Sequence, residues 1–129
     1  MLTSYSLELI NITKSFDNSI VVQNLNLSLL SGSVTCLLGP SGCGKSTTLR
    51  IAAGLERQNS GKVKINGKLI SAPDIYHAPP EKRDIGFMFQ DFALFPHLTV
   101  KKNIEFGLTN NKNLKSNNFT SDDLLKKIS

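Results

Sequence analysis

The chain has 129 residues, 40% of them apolar and 19% charged, a composition that suits one folded domain with a core and excludes a disordered chain. Fifteen Lys and Arg stand against ten Asp and Glu, a formal charge of +5. The basic residues are scattered in runs no longer than two, which points to an ordinary surface with one anion site and not to nucleic acid. No apolar run approaches the roughly 20 residues that cross a bilayer, and MLTSYSLELI has no basic region ahead of an apolar block, so no secretory signal is expected. Cys36 lies in an apolar run and Cys43 in a Gly-rich loop. Neither has metal-ligand spacing, and their setting suits a reduced, cytosolic compartment.

In chain order, residues 7–13 (LELINIT) alternate like a half-buried strand. Leu25, Leu27 and Leu29 alternate again, and Ser31-Gly32 is a turn signal. VTCLL, 34–38, reads as a strand buried on both faces. Lys45 to Ala53 reads as a helix closed by Gly54. Residues 63–66 (VKIN within SGKVKIN) and 68–70 (KLI) form strands around an Asn66-Gly67 hairpin turn. Residues 71–83, with Pro73, Pro79 and Pro80, read as loop, and His77 in it as a solvated residue. Ile85 to Phe89 is a second apolar strand. Thr99 caps a helix in which Val100, Ile104 and Leu108 share a face. Residues 109–118 are Asn-rich loop, and the closing TSDDLLKKI has acids in its first turn and lysines in its last, as a helix prefers.

The motif with chemistry is GPSGCGKST: Gly39, Pro40, Ser41, Gly42, Cys43, Gly44, Lys45, Ser46 and Thr47. The spacing Gly39-x-x-x-x-Gly44-Lys45-Ser46 is that of a P-loop. Its glycines let successive N–H groups point inward at phosphate oxygens, and the helix that follows adds its positive end. Lys45 would reach the β- and γ-phosphates and Ser46 would ligate Mg²⁺. A P-loop fixes nucleotide binding but not its use.

The second feature is FMFQDFALFPHLTV, Phe87 to Val100. It reads as a strand that delivers Gln90 at its end, where a parallel α/β sheet puts ligand chemistry. An apolar loop follows, able to dock a partner or simply to pack. Asp91 reads as a polar neighbour of Gln90. Glu56 and Arg57 read as surface residues at the start of a loop, and His97 as a solvated loop residue.

These segments carry a resemblance. GPSGCGKSTTLRIAAGLE, SGKVKINGK and FMFQDFALFPHLTVKKNIEFGL resemble the N-terminal part of an ATP-binding cassette (ABC) transporter ATPase, in the importer subfamily that energises uptake of ferric iron, polyamines, sulfate or sugars. The similarity covers about residues 6–108. It implies an α/β P-loop NTPase core with an N-terminal antiparallel β region, a nucleotide-binding core over 1–108, and over 109–129 an Asn-rich loop and the start of a helical subdomain. It implies ATP and Mg²⁺ as cofactors. Phe16, in ITKSFDN, stands where the family stacks an aromatic on adenine. Lys45 and Gln90 take the catalytic positions, with Ser46 and Gln90 as metal ligands. Residues 92–98 lie where an integral membrane permease docks, and full-length relatives pair as ATPase homodimers. The location implied is peripheral, on the cytoplasmic side of the inner membrane, with ferric iron as the first-choice cargo.

The family's signature, its Asp-Glu strand end and its switch His have no counterpart in these residues. Leu30-Ser31-Gly32-Ser33 imitates part of the signature but precedes the P-loop, and Asp122-Asp123 opens a helix. The expectation is a chain truncated within the helical subdomain that binds ATP·Mg²⁺ with negligible hydrolysis. A binding-only module or remnant, docked on a membrane subunit through 92–98, stands as the alternative. A small P-loop kinase fits poorly, because no acceptor or lid residues are evident. The sheet faces near 34–38 and 85–89 are expected to be exposed and prone to aggregation.

Overall fold

The computed structural model describes residues 4–91 and 93–106. The chain forms two compact units, Met1–Phe87 and Met88–Ser129.

The first unit is built on five strands, β1 (Tyr5–Phe16), β2 (Ser19–Leu30), β3 (Ser60–Ile65), β4 (Lys68–Ala72) and β5 (Tyr76–His77). They pair antiparallel in the order β2-β1-β3-β4-β5. Two-residue turns join the long hairpins. Asp17 and Asn18 both take positive φ, as do Asn66 and Gly67, which is what a type I′ turn demands.

The first strand carries a phase conflict that the structure resolves. Leu7 and Leu9 are two apart, but Ile12 is out of step with them. The register shifts between Leu9 and Ile12 against β2, and between Ile10 and Thr13 against β3. Asn11 sits in both shifts at φ 52, so Leu9 and Ile12 both reach the core. The ladder bonds lost there are replaced by an amide. Asn11 N–H donates to Asn26 Oδ1 at 2.9 Å, and Asn26 Nδ2 donates to Asn11 Oδ1 at 3.0 Å. Gly61 opposite has no alternative, since a Cβ there would lie 2.4 Å from the Asn11 carbonyl oxygen.

Helix α1 (Lys45–Ala53) lays Ile51 and Ala52 on Leu9, Ile12, Val22 and Val63. Its C-terminus is a Schellman motif. Gly54 is left-handed, Leu55 N–H donates to Arg50 O at 2.9 Å, and Gly54 N–H donates to Ile51 O at 3.2 Å. Arg83 then covers the end. Its side chain is 1% exposed. Nη1 donates to Ile51 O and Ala52 O at 2.9 and 3.0 Å, and Nε donates to Ala78 O at 2.8 Å.

Three expectations need correction. Residues 34–38 form no strand, and Val34 and Leu38 are 95% and 92% exposed. Residues 85–89 form no strand either, with Met88 94% exposed. A parallel strand satisfies its N–H and C=O groups only through neighbours, and among the described residues no strand flanks either segment. The exposure was anticipated; the sheet was not formed. The third correction concerns 71–83, which is largely ordered. Residues 71–72 end β4, 76–77 form β5, and Pro80–Lys82 make a 3-10 turn. His77 is half-buried, its Nδ1 2.9 Å from Ser71 Oγ and 3.3 Å from Arg83 Nη2. Ser71 is held in turn by the buried Gln58.

In the second unit, α2 (Val100–Glu105) starts where expected. Thr99 Oγ1 accepts from Lys102 N–H at 3.3 Å. Leu108, the Asn-rich stretch and the closing helix lie outside the described residues. Among the described residues no helix is long and apolar enough to cross a membrane.

Two outcomes are expected. Arg83→Met keeps the stem but leaves the Ala52 and Ala78 carbonyls without this donor, and should lower the unfolding free energy by about 2 kcal/mol in urea melts. Burial, and then the Arg83 and Arg57 charges, hold His77 below its ordinary value of 6.5. The unfolded chain therefore binds this proton more readily, so stability rises with pH. It should be full above about pH 6.5 and fall as pH drops from there toward the folded value. Melts of a His77→Gln variant should show a flatter slope across that window.

Candidate phosphate-binding site

The loop 39–44 is shaped by its own small residues. Gly42 and Gly44 take φ 81 and 90, conformations that L side chains avoid. Gly44 is buried against β2, and a Cβ on it would lie 2.6 Å from the Val21 carbonyl oxygen. A Cβ on Gly39 would lie 2.8 Å from Cys43 Sγ. The loop is thus pressed between a strand and itself, with Cys43 N–H donating to Pro40 O at 3.4 Å.

Helix α1 starts directly from this loop. Its N-cap, Gly44, has no side chain to cap the first turn, and that turn holds no acid. The positive end of the helix is therefore left for an outside anion. Lys45 adds a cation at the same place. Its Nζ donates to Gly39 O and Pro40 O, each at 2.7 Å, and lies 3.4 Å from Cys43 Sγ. Ser46 is exposed, Thr47 half-buried, and Thr48 buried at the first turn, where its N–H donates to Gly44 O at 2.8 Å. Ser41, Gly42 and Cys43 are exposed. A glycine cradle, a free helix start and an ammonium together fit a polyphosphate. For Mg²⁺ the fit is partial by design. Ser46 offers a hard hydroxyl oxygen, and among the described residues no cluster of three or more His, Cys, Asp or Glu could hold a metal. A cation here would rely on phosphate oxygens for its charge partners.

Phe16 ends β1 and is 42% exposed, so it is no core aromatic. Lys14 Nζ lies over its ring, 4.5 Å from the centroid. Glu56, read from sequence as a surface residue, instead pairs with Lys14 at 2.6 Å. That hydrogen bond is the main cause holding the Glu56 carboxyl below its ordinary range. The signal was available in part, because Lys14 and Phe16 are two apart on a strand and so share a face. Nothing local in sequence points to Glu56.

Gln90 belongs to the second unit, where it is exposed and follows no strand. In the loop beyond it, Phe92 lies outside the described residues. Leu94 and Phe95 are exposed. Asn103 of α2 holds the rest: Phe95 N–H donates to its Oδ1 at 2.8 Å, and its Nδ2 donates to the carbonyls of Phe95, Leu98 and Thr99 at 3.1–3.2 Å. The Phe95 ring lies 4.3 Å from that of Phe106 and meets His97 edge-on at 6.0 Å.

The sequence model of the ABC transporter family matches residues 22–129. The chain belongs to this family. Relatives are named as import ATP-binding proteins. The sn-glycerol-3-phosphate import ATP-binding protein of Bartonella bacilliformis is 44% identical over 95% of the chain. The spermidine/putrescine import ATP-binding protein of Spiroplasma citri is 49% identical over 83%, and the Fe(3+) ions import ATP-binding protein of Brucella abortus 47% over 76%. The chain spans 33%, 29% and 26% of their respective lengths. Among solved structures, a dimeric ATP-binding cassette in a post-hydrolysis state, bound to ADP and Pi, superposes with a TM-score of 0.68 at 33% identity, over 80% of this chain and 47% of that one. A nucleotide-free cassette from an ABC transporter gives 0.51 at 31% identity, over 53% and 26%. The fold is therefore the N-terminal part of an ABC cassette core, and the antiparallel region expected of it is the β1–β5 sheet.

Gly44→Ala should press a methyl group on the Val21 carbonyl and force a left-handed alanine. We expect a loss of about 1–2 kcal/mol in urea melts. Tripolyphosphate, which should raise the melting temperature of the parent chain, should no longer do so for this variant.

Proposed function

We propose that the chain is the ATP-binding portion of an ABC import system. The observation that carries this reading is the glycine-shaped loop and uncapped helix α1 with Lys45 folded over them, in a chain whose family relatives are named as importers. Lys45 and the loop amides of 39–47 hold the phosphates. Phe16 stacks on the adenine. Ser46, with Gln90, holds Mg²⁺, which when bound neutralises phosphate charge. Residues 92–98 dock an integral membrane permease, and two ATPase subunits pair in the assembled system on the cytoplasmic side of the membrane. Ferric iron is the cargo we place first, ahead of polyamines and glycerol 3-phosphate.

The residues assigned here neutralise charge. Orienting the attacking water is a separate task in phosphoryl transfer, and none of them performs it. The 129-residue chain is therefore expected to bind ATP·Mg²⁺ and to turn it over negligibly. Titration calorimetry should find binding that Lys45→Ala weakens by at least about ten-fold, the loss of one charge-assisted phosphate contact. Ser46→Ala should reduce the gain in affinity that Mg²⁺ gives. Sustained phosphate release from the parent chain, abolished by Lys45→Ala, would overturn the inactive reading.

A further inference from the structure

The segment just beyond α1 grips the end of β1, and the grip is specific. Asn59 N–H donates to Thr13 O at 2.9 Å. Ser15 N–H donates to Asn59 Oδ1 at 2.7 Å, and Ser15 Oγ lies 3.3 Å from the same oxygen. Between these contacts lies Lys14. Its ammonium has three protons to place. It donates to Arg57 O at 2.9 Å, pairs with Glu56 Oε1 at 2.6 Å, and faces the Phe16 ring at 4.5 Å. The Lys14 side chain is only 12% exposed, so this is a fixed, partly desolvated cation and not a waving surface lysine.

We propose that Lys14, locked by Glu56 and the Arg57 carbonyl, is the positioning residue for the Phe16 ring, and makes it a one-faced platform for the base of a nucleotide. This rests on the reading of Phe16 as the base-stacking residue. One face of the ring is covered by the ammonium, so a base stacks on the other. The cation also draws on the ring's π density, which disfavours a cationic ligand and favours a neutral, electron-rich base. The mount has a second effect. Residues 56–59 follow directly on the C-terminus of α1, and the P-loop lies at its N-terminus. The base platform and the phosphate grip are thus fixed to the two ends of one nine-residue helix, about 13 Å long.

The test compares two probes on the 129-residue chain: ATP·Mg²⁺, which has a base, and inorganic tripolyphosphate with Mg²⁺, which has none. Lys14→Met should weaken ATP about three- to ten-fold, the scale of a partly desolvated cation–π contact, and leave tripolyphosphate unchanged. Lys14→Arg should restore most of the loss, because a guanidinium also covers a ring face. Glu56→Gln should act in the same direction as Lys14→Met. Phe16→Ala should abolish the preference for ATP, and adding Lys14→Met to it should then change nothing. If Phe16→Ala leaves the preference intact, the platform reading itself falls. If Phe16→Ala removes it but Lys14→Met does not, only the role of Lys14 falls. Equal weakening of both probes by Lys14→Met would also overturn it, since that pattern means the residue acts through the fold alone. The chain has no Trp, so Phe16→Trp supplies a single indole at the platform, which can be excited selectively above the tyrosine band. Its emission should shift when Lys14→Met is added.

Discussion

One guanidinium closes the carbonyl end of the helix on which the site is built. Arg83 takes the two α1 carbonyls of Ile51 and Ala52, and it also binds the Ala78 carbonyl beyond β5. No side chain fits beside it. A Cβ on Gly54 would lie 2.4 Å from Arg83 Nε, so the glycine that ends the helix also makes room for the residue that covers its end. The charge is buried at a cost, and desolvation lowers the arginine's proton affinity accordingly. Three carbonyl oxygens and the neutral His77 nitrogen offset that cost. The negative end of the helix dipole is answered there, while the positive end is left to the ligand.

The frame so fixed is small, and its parts come from distant stretches of the chain. The hairpin of β1 and β2 supplies the wall behind Gly44, and β3 supplies Val63 beneath α1. The apolar segments at 34–38 and 85–89 add no strand to this sheet, and Val34, Leu38 and Met88 stay exposed. The stable part of the first unit is therefore the antiparallel sheet with its helix, and the chain between β2 and the P-loop is held at its ends.

Much of this was legible in the sequence, and the failures have physical causes. Asn66-Gly67, the Lys45–Ala53 helix with its closing glycine, and the Thr99 cap are local signals, and each appears where local chemistry puts it. Hydrophobic runs are different. Val34–Leu38 reads as a buried strand because such runs need neighbours, yet a run cannot state where its neighbours are. His77 looked solvated because prolines surround it, but its burial depends on Arg83 and Ser71, which no window of sequence places beside it. The Asn11 bulge hid in a plain contradiction of phase between Leu9 and Ile12. Glu56 was missed for the same reason as His77. Its partner is 42 residues away in the chain and meets it only because α1 folds back on the sheet. The P-loop residues were legible from spacing alone, since a phosphate grip is made from consecutive backbone.

Asn103 shows how a stretch without secondary structure can still be rigid. Its amide oxygen takes one N–H of the loop, and its two amide protons are shared among three carbonyls. A side chain here performs the pairing that a neighbouring strand would otherwise perform. Residues 95–99 and the first turns of α2 are consequently one mechanical piece. A surface that is already ordered loses less conformational entropy when something settles on it. The loop can therefore present Phe95 in a set arrangement, and a load applied there passes straight into the helix that holds it.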